Sequence, residues 1–209
     1  RLKPFTNILP KPLIPINGKP VIDHIIDNFK KYGINNISLT LNYKSKILEA
    51  YFNESRTKVK YIKENLPLGT AGILNKFKNS NKDFFVTNCD TIIDIDYNDF
   101  FQFHKKNNND ITIAVASHEI TIPYGVCKTD LNGKLIKIDE KPVNDYLISV
   151  GLYIINSKVF KLIPLNKHMD MNELISKSFK NSKVAIYPIN SSSWKDVGKW
   201  DDFLKNSKY

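Results

Sequence analysis

With 209 residues, 42% hydrophobic and 25% charged, the chain has material for one large core and is neither disordered nor fibrous in composition. Its 31 basic and 21 acidic residues leave a net charge of +10, which suits an anionic partner such as a nucleotide or a phosphosugar. The lysines are scattered rather than gathered in an arginine-rich stripe, which argues against nucleic acid, and no apolar run reaches the roughly 18 residues needed to cross a membrane.

The start is not a signal peptide, so a cytoplasmic location is expected. Cys89 and Cys127 have neither metal-ligand spacing nor a disulfide framework, and both read as small buried residues.

The opening stretch, RLKPFTNILPKPLIPINGKP, holds Pro4, Pro10, Pro12, Pro15 and Pro20. Each fixes a backbone angle and removes an amide donor, so the segment is expected to run as a stiff loop carrying Arg1, Lys3, Lys11 and Lys19. A solvated basic surface loop and a polyphosphate-binding loop both fit this pattern. The chain opens with Arg rather than Met, and the loop has no strand in front of it, so a longer chain is expected.

Val21–Tyr32 places Val21, Ile22, Ile25, Ile26 and Phe29 on one helical face, with Gly33 as its stop. Asn36–Asn42 alternates as a strand, Lys44–Asn53 reads as a helix and Val59–Glu64 as another strand. A loop over Asn65–Gly72 opens into a helical Ile73–Phe77. Asp83–Asn88 is a short apolar run of the fully buried strand type, Tyr97–Lys106 a helix, and Asp110–Ser117 a strand.

Beyond these, Gly125–Thr129, Leu135–Ile138 and Ser149–Ile155 read as strands joined by turns, and Met171–Phe179 as a helix. Val184–Pro188 is an edge-like strand and Trp200–Lys205 a terminal helix. The order predicts a single α/β domain over residues 1–209, with a Rossmann-like mixed, mostly parallel sheet flanked by helices and an antiparallel second portion added to the same sheet.

In such a sheet ligands bind beyond the carboxyl ends of the strands. Leu68-Gly69-Thr70-Ala71-Gly72 lies between a strand and a helix start, where glycines let backbone amides approach a ligand. A plain helix cap by Thr70 fits as well. Asp90 leaves the tip of a buried strand, where a carboxylate needs a cation or donors, whereas Asp94 and Asp96 read as turn residues before the next helix.

Asp196, in Trp194-Lys195-Asp196-Val197-Gly198, is either a surface cap or, if the sheet brings it to Asp90, half of a divalent-metal site. Glu140-Lys141-Pro142 is either an exposed charged turn or a rim that holds a sugar hydroxyl and a phosphate. His24 is assigned to a helix, His104 to a helix end, and His118 and His168 to loops; none has a partner at catalytic spacing.

Taken in order, Arg-Leu-x-Pro-Phe-Thr, Pro-Lys-Pro, Gly-Lys-Pro, Leu-Gly-Thr-Ala-Gly, Asn-Cys-Asp, Pro-Tyr-Gly-Val, Glu-Lys-Pro, Val-Gly-Leu-Tyr and Trp-x-Asp-Val-Gly span the whole chain. The sequence therefore resembles the sugar-1-phosphate nucleotidylyltransferases, whose signature is GGxGTRLxPLTxxxPKP. Only the second half of that signature lies within residues 1–209; the glycine-rich strand-loop does not, and CBS domains ahead of residue 1 are compatible with the pattern. Phe5 replaces the commoner leucine and Cys89 the usual glycine.

The resemblance implies that Arg1 and Lys11 bind and polarise nucleotide phosphates. It implies a base and ribose pocket at Gly69, Thr70 and Gly72, and magnesium (Mg2+) at Asp90 and Asp196. Gly125, Glu140, Lys141 and Gly151 would grip the sugar phosphate. The implied reaction joins a nucleoside triphosphate and a sugar 1-phosphate into a nucleotide sugar and pyrophosphate, as in supply of cell-surface polysaccharide; a homo-oligomer is compatible. The Leu-Gly-Thr-Ala-Gly form is most similar to mannose- and heptose-1-phosphate guanylyltransferases and their CBS-linked relatives, which favours GTP over UTP, CTP or dTTP.

Overall fold

The computed structural model describes residues 5–55 and 57–197. Arg1 and the expected Trp200–Lys205 helix lie outside the described residues. In chain order the regular elements begin with a small ribbon, β1 (Pro15–Ile16) and β2 (Lys19–Pro20), then α1 (Val21–Lys31), β3 (Ser38–Leu41), α2 (Ser45–Glu54), β4 (Lys60–Lys63) and α3 (Gly69–Gly72). There follow β5 (Asp83–Thr87), β6 (Thr91–Ile93), α4 (Tyr97–Lys106), β7 (Ile111–Thr121), β8 (Gly125–Thr129) and β9 (Leu135–Glu140). The series ends with β10 (Val143–Asn156), α5 (Met171–Ser178), β11 (Val184–Ile189) and β12 (Trp194–Asp196).

Local chemistry sets the boundaries. The apolar stripe of α1 is buried, and Gly33, at φ 76°, closes the helix while the Ile34 amide returns to the Phe29 carbonyl. Asp96 caps α4 by accepting from the amides of Asn98 and Asp99, so it is the turn residue that its spacing predicts.

The central sheet has the order β11-β7-β10-β5. β10 is antiparallel to both β7 and β5, while β11 runs parallel to β7. Three strands thus share one direction around a reversed β10, a mixed sheet in which antiparallel pairing is commoner than the reading predicts. Alternate side chains of β10 feed two cores: Leu152 and Ile154 pack with α1 and α4, and Tyr153 and Ile155 with α5 and its neighbours. Pro188 is tolerated because β11 is the sheet edge.

Several expectations need correction. β8 and β9 form a hairpin of their own rather than joining the central sheet. His118 lies within β7, not in a loop. Cys89 and Cys127 are both exposed. β5 is half-buried along its length, because one side of it fronts a cleft.

That cleft, of about 660 Å³, has Ser38–Leu41 of β3 on one wall and residues 84–87 of β5 on the other. Ile22, Ile26 and Phe29 of α1 and Ile73, Leu74 and Phe77 close it, so its lining is mostly apolar. Among the described residues, β3 pairs only with β4 and β5 only with β10.

Candidate active site

A second cleft, of about 460 Å³, opens at the carboxyl end of β5 and is lined by Lys11, Asn88, Asp90, Gly151, Trp194 and Asp196, among others. Two pieces of backbone pairing bring the carboxylates to it. β12 pairs antiparallel with β6 so that Asp196 faces Thr91, and the Val197 amide donates to the Asp90 carbonyl at 3.0 Å. The convergence of Asp90 and Asp196, conditional in the sequence, is thereby built into the strand pairing.

Lys11 reaches the same place from the proline-rich segment. It opens a short 3-10 turn, Lys11–Leu13, preceded by Pro10 and continued by Pro12, which leaves the backbone little freedom. Its Nζ donates to Asp90 Oδ2 at 3.0 Å, with both side chains partly exposed to the cleft.

Gly151 completes the floor. It adopts φ 81° inside β10, where the pairing with β7 shifts register between Ser149 and Tyr153. The Asn88 amide donates to the Gly151 carbonyl at 2.9 Å, and a Cβ on Gly151 would lie 2.5 Å from Asn88 Nδ2. Conformation favours glycine here, and any side chain would also have to displace that of Asn88.

The Gly69-Thr70-Ala71-Gly72 stretch forms α3 and is docked onto residues 167–171. A Cβ on Gly69 would come 2.6 Å from the Met169 carbonyl oxygen, and one on Gly72 2.8 Å from the Lys167 carbonyl oxygen. The Met169 carbonyl accepts from the amides of Ala71 and Gly72. Thr70 does cap a helix, but α5 rather than its own: its Oγ1 accepts from the Met171 amide at 2.8 Å. Gly69 and Thr70 border the larger cleft, whereas Gly72 is buried behind them.

The remaining predicted residues stand apart. Gly125 and Glu140 are paired at the base of the β8–β9 hairpin, and Lys141 follows in a left-handed conformation, with its Nζ 3.9 Å from Glu140 Oε1. None of the three lines either cleft. Asn88, Ser149, Tyr153 and Asn172 do line the smaller one and had no assigned role in the sequence. Ser149 Oγ donates to the Tyr153 hydroxyl at 3.0 Å across the register shift, a contact that no sequence spacing announces.

Chemically, the site holds cationic and anionic groups but no activated nucleophile. Cys89 opens onto the cleft, yet crowding by the surrounding protein, with the neighbouring Asp90 carboxylate, pushes its thiol up to about 11 and keeps it protonated. Asp90 and Asp196 fit a hard divalent cation such as magnesium: both are oxygen donors on one cleft, and an ammonium cation already sits on Asp90. Among the described residues no third His, Cys, Asp or Glu joins them.

A nucleotidyl transferase family model matches residues 1–209. The chain belongs to that family. It is 34% identical to the mannose-1-phosphate guanylyltransferase catalytic subunit beta of Dictyostelium discoideum, over 98% of this chain and 59% of that protein. It is 29% identical to a UTP–glucose-1-phosphate uridylyltransferase of Synechocystis sp., over 97% of this chain and 58% of the relative. The chain thus spans about three fifths of the length of these curated relatives. Among solved structures it is similar to HddC from Yersinia pseudotuberculosis complexed with GMP-PN, with a TM-score of 0.73, 25% identity, and coverage of 99% of this chain and 92% of that one. These matches agree with the family resemblance carried by the ordered motifs.

Proposed function

We propose that the protein transfers a nucleoside monophosphate from a nucleoside triphosphate, GTP in preference, to a sugar 1-phosphate. The observation that carries this reading is the meeting of Lys11, Asp90 and Asp196 at the carboxyl end of β5. The similarity to guanylyltransferases and to a chain complexed with GMP-PN supports the choice of GTP.

A phosphate oxygen of the sugar 1-phosphate attacks the α-phosphorus as the bond to the bridging α–β oxygen breaks, and pyrophosphate leaves. That oxygen is already ionised near neutral pH, so no general base is required, and a protonated Cys89 offers no covalent detour. Catalysis then rests on alignment and charge neutralisation. Lys11 binds the triphosphate as a point charge, joined by Arg1. Magnesium, when held by Asp90 and Asp196, neutralises charge on the reacting phosphates.

Gly69, Thr70 and Gly72 shape the wall for base and ribose. Gly151, with Gly125, Glu140 and Lys141 on the hairpin, takes the sugar phosphate.

Pyrophosphate release, measured over a panel of triphosphates against mannose-, heptose-, glucose- and glucosamine-1-phosphates, tests the reading. GTP should turn over fastest, and Asp90→Asn and Asp196→Asn should lose at least about a hundredfold while remaining folded. Equal turnover with UTP, CTP or dTTP would remove the guanylyl preference. Nucleotide binding without pyrophosphate release from any pair would identify a non-catalytic sensing subunit.

A further inference from the structure

The contact between Lys11 Nζ and Asp90 Oδ2 places two groups of the proposed site on each other. One is the cation meant for phosphate; the other is a carboxylate meant for metal. We infer that Lys11 is an internal counter-ion whose displacement from Asp90 couples metal binding to nucleotide binding. This rests on the nucleotidyl-transfer reading above and adds an order of events to it.

Asp90 and Asp196 border one cleft, which gathers negative charge there. The Lys11 ammonium offsets part of that charge and occupies Oδ2, an oxygen that a divalent ion would also need. The ion must therefore break the Lys11–Asp90 pair to bind. Among the contacts described, Asp90 is the acceptor that its Nζ would give up.

A triphosphate changes this balance by offering Lys11 another anion. Once the ammonium moves to phosphate, Asp90 is free for metal; once metal holds Asp90, Lys11 is free for phosphate. Each ligand removes the obstacle to the other, so their affinities rise together and by the same factor. The stiffness of Pro10 and Pro12 around Lys11 means the exchange requires only the lysine side chain to swing, with the 3-10 turn staying in place.

The test is direct titration of the whole protein with Mn2+, read by the spin-resonance signal of the free ion, with and without GTP and in the absence of any sugar phosphate. After subtraction of the Mn2+ that GTP holds by itself in a protein-free control, GTP should tighten Mn2+ binding to the wild type by about tenfold or more, and this gain should shrink in Lys11→Met. Lys11→Met should bind Mn2+ about tenfold more tightly than the wild type without GTP, although its turnover falls. Lys11→Gln provides a second uncharged side chain should the methionine variant fold poorly.

Lys195→Met, which removes a cation from β12 that makes no contact with Asp90 among those described, separates displacement from general electrostatics. Unchanged or weaker Mn2+ binding in the Lys11 variants would overturn the inference, as would an equal gain in Lys195→Met. Pyrophosphate release by the wild type, measured alongside, shows whether the transferase reading stands independently of that outcome.

Discussion

Gly151 and Asn88 pack so closely that no side chain fits between them: a Cβ on Gly151 would meet Asn88 Nδ2 at 2.5 Å. The same two residues share a backbone hydrogen bond at the cleft floor. Gly151→Ala should therefore cost about 1–3 kcal/mol, from positive-φ strain and the clash together. Asn88→Ala in the same chain should recover the share due to the clash and leave the strain. Urea unfolding of the two single variants and the double variant measures both parts.

Thr70 joins α3 to α5 through one hydroxyl. Thr70→Val keeps the shape but deprives the Met171 amide of its acceptor, and should destabilise by about 1 kcal/mol, whereas Thr70→Ser should stay close to wild type. Calorimetric melting temperatures of the two variants decide this. A loss in Thr70→Ser with none in Thr70→Val would mean that the methyl group, not the hydrogen bond, is what matters there.

A buried polar cluster whose residues line neither cleft gives the fold an acid-labile element. His104 is 1% exposed, with Nδ1 2.8 Å from Thr112 Oγ1 and Nε2 3.5 Å from Asp83 Oδ1. Burial holds its pKa below the usual histidine value, although Asp83 pulls the other way. The unfolded chain then takes up a proton that the folded chain refuses, so this contribution is present above about pH 6.5 and declines as the pH falls below it.

Burial tends to raise the Asp83 carboxyl, but the hydrogen bonds from Lys105 and Asn156 outweigh it and hold the group below its ordinary value. Its contribution is present above the ordinary aspartate value of about 4 and is lost as the pH falls from there through the lowered folded value. Melting temperature should consequently drop between about pH 7 and pH 5, and should drop less in His104→Gln, which cannot gain the proton.

On the hairpin, Lys141 is well exposed and bound only loosely to Glu140. Lys141→Ala should leave stability unchanged and raise the KM for sugar 1-phosphate roughly tenfold, with the KM for nucleotide unaffected. Steady-state kinetics with each substrate varied in turn measures the split. An unchanged sugar-phosphate KM would remove Lys141 from the site.

Much of this was readable from residue order because local patterns govern it. The apolar stripe and terminal glycine of α1, and the bounds of α4, follow from periodicity and caps that act within one segment. The meeting of Asp90 and Asp196 follows from the pairing of β12 with β6, across about a hundred residues, which the sequence could state only as a condition.

The misreadings share a cause. Cys89 and β5 read as interior, yet both border a cleft made by how distant elements are arranged, and Cys127 is exposed on a hairpin that packs into no sheet but its own. The glycines of the Gly69–Gly72 stretch were legible as a place of close approach. What approaches them in the structure is the chain's own segment at residues 167–170, and no spacing rule identifies such a partner.

The slot between β3 and β5 bears on how the protein must be handled. Its two walls are strands whose cleft-facing sides pair with no described strand, above an apolar floor. Exposed strand edges of this kind are templates for pairing with neighbouring molecules. In this chain the opposing force is mutual repulsion from a net charge of +10. Salt screens that repulsion over distances of about 8–10 Å at ordinary ionic strength, so solutions of the protein should turn turbid as salt rises.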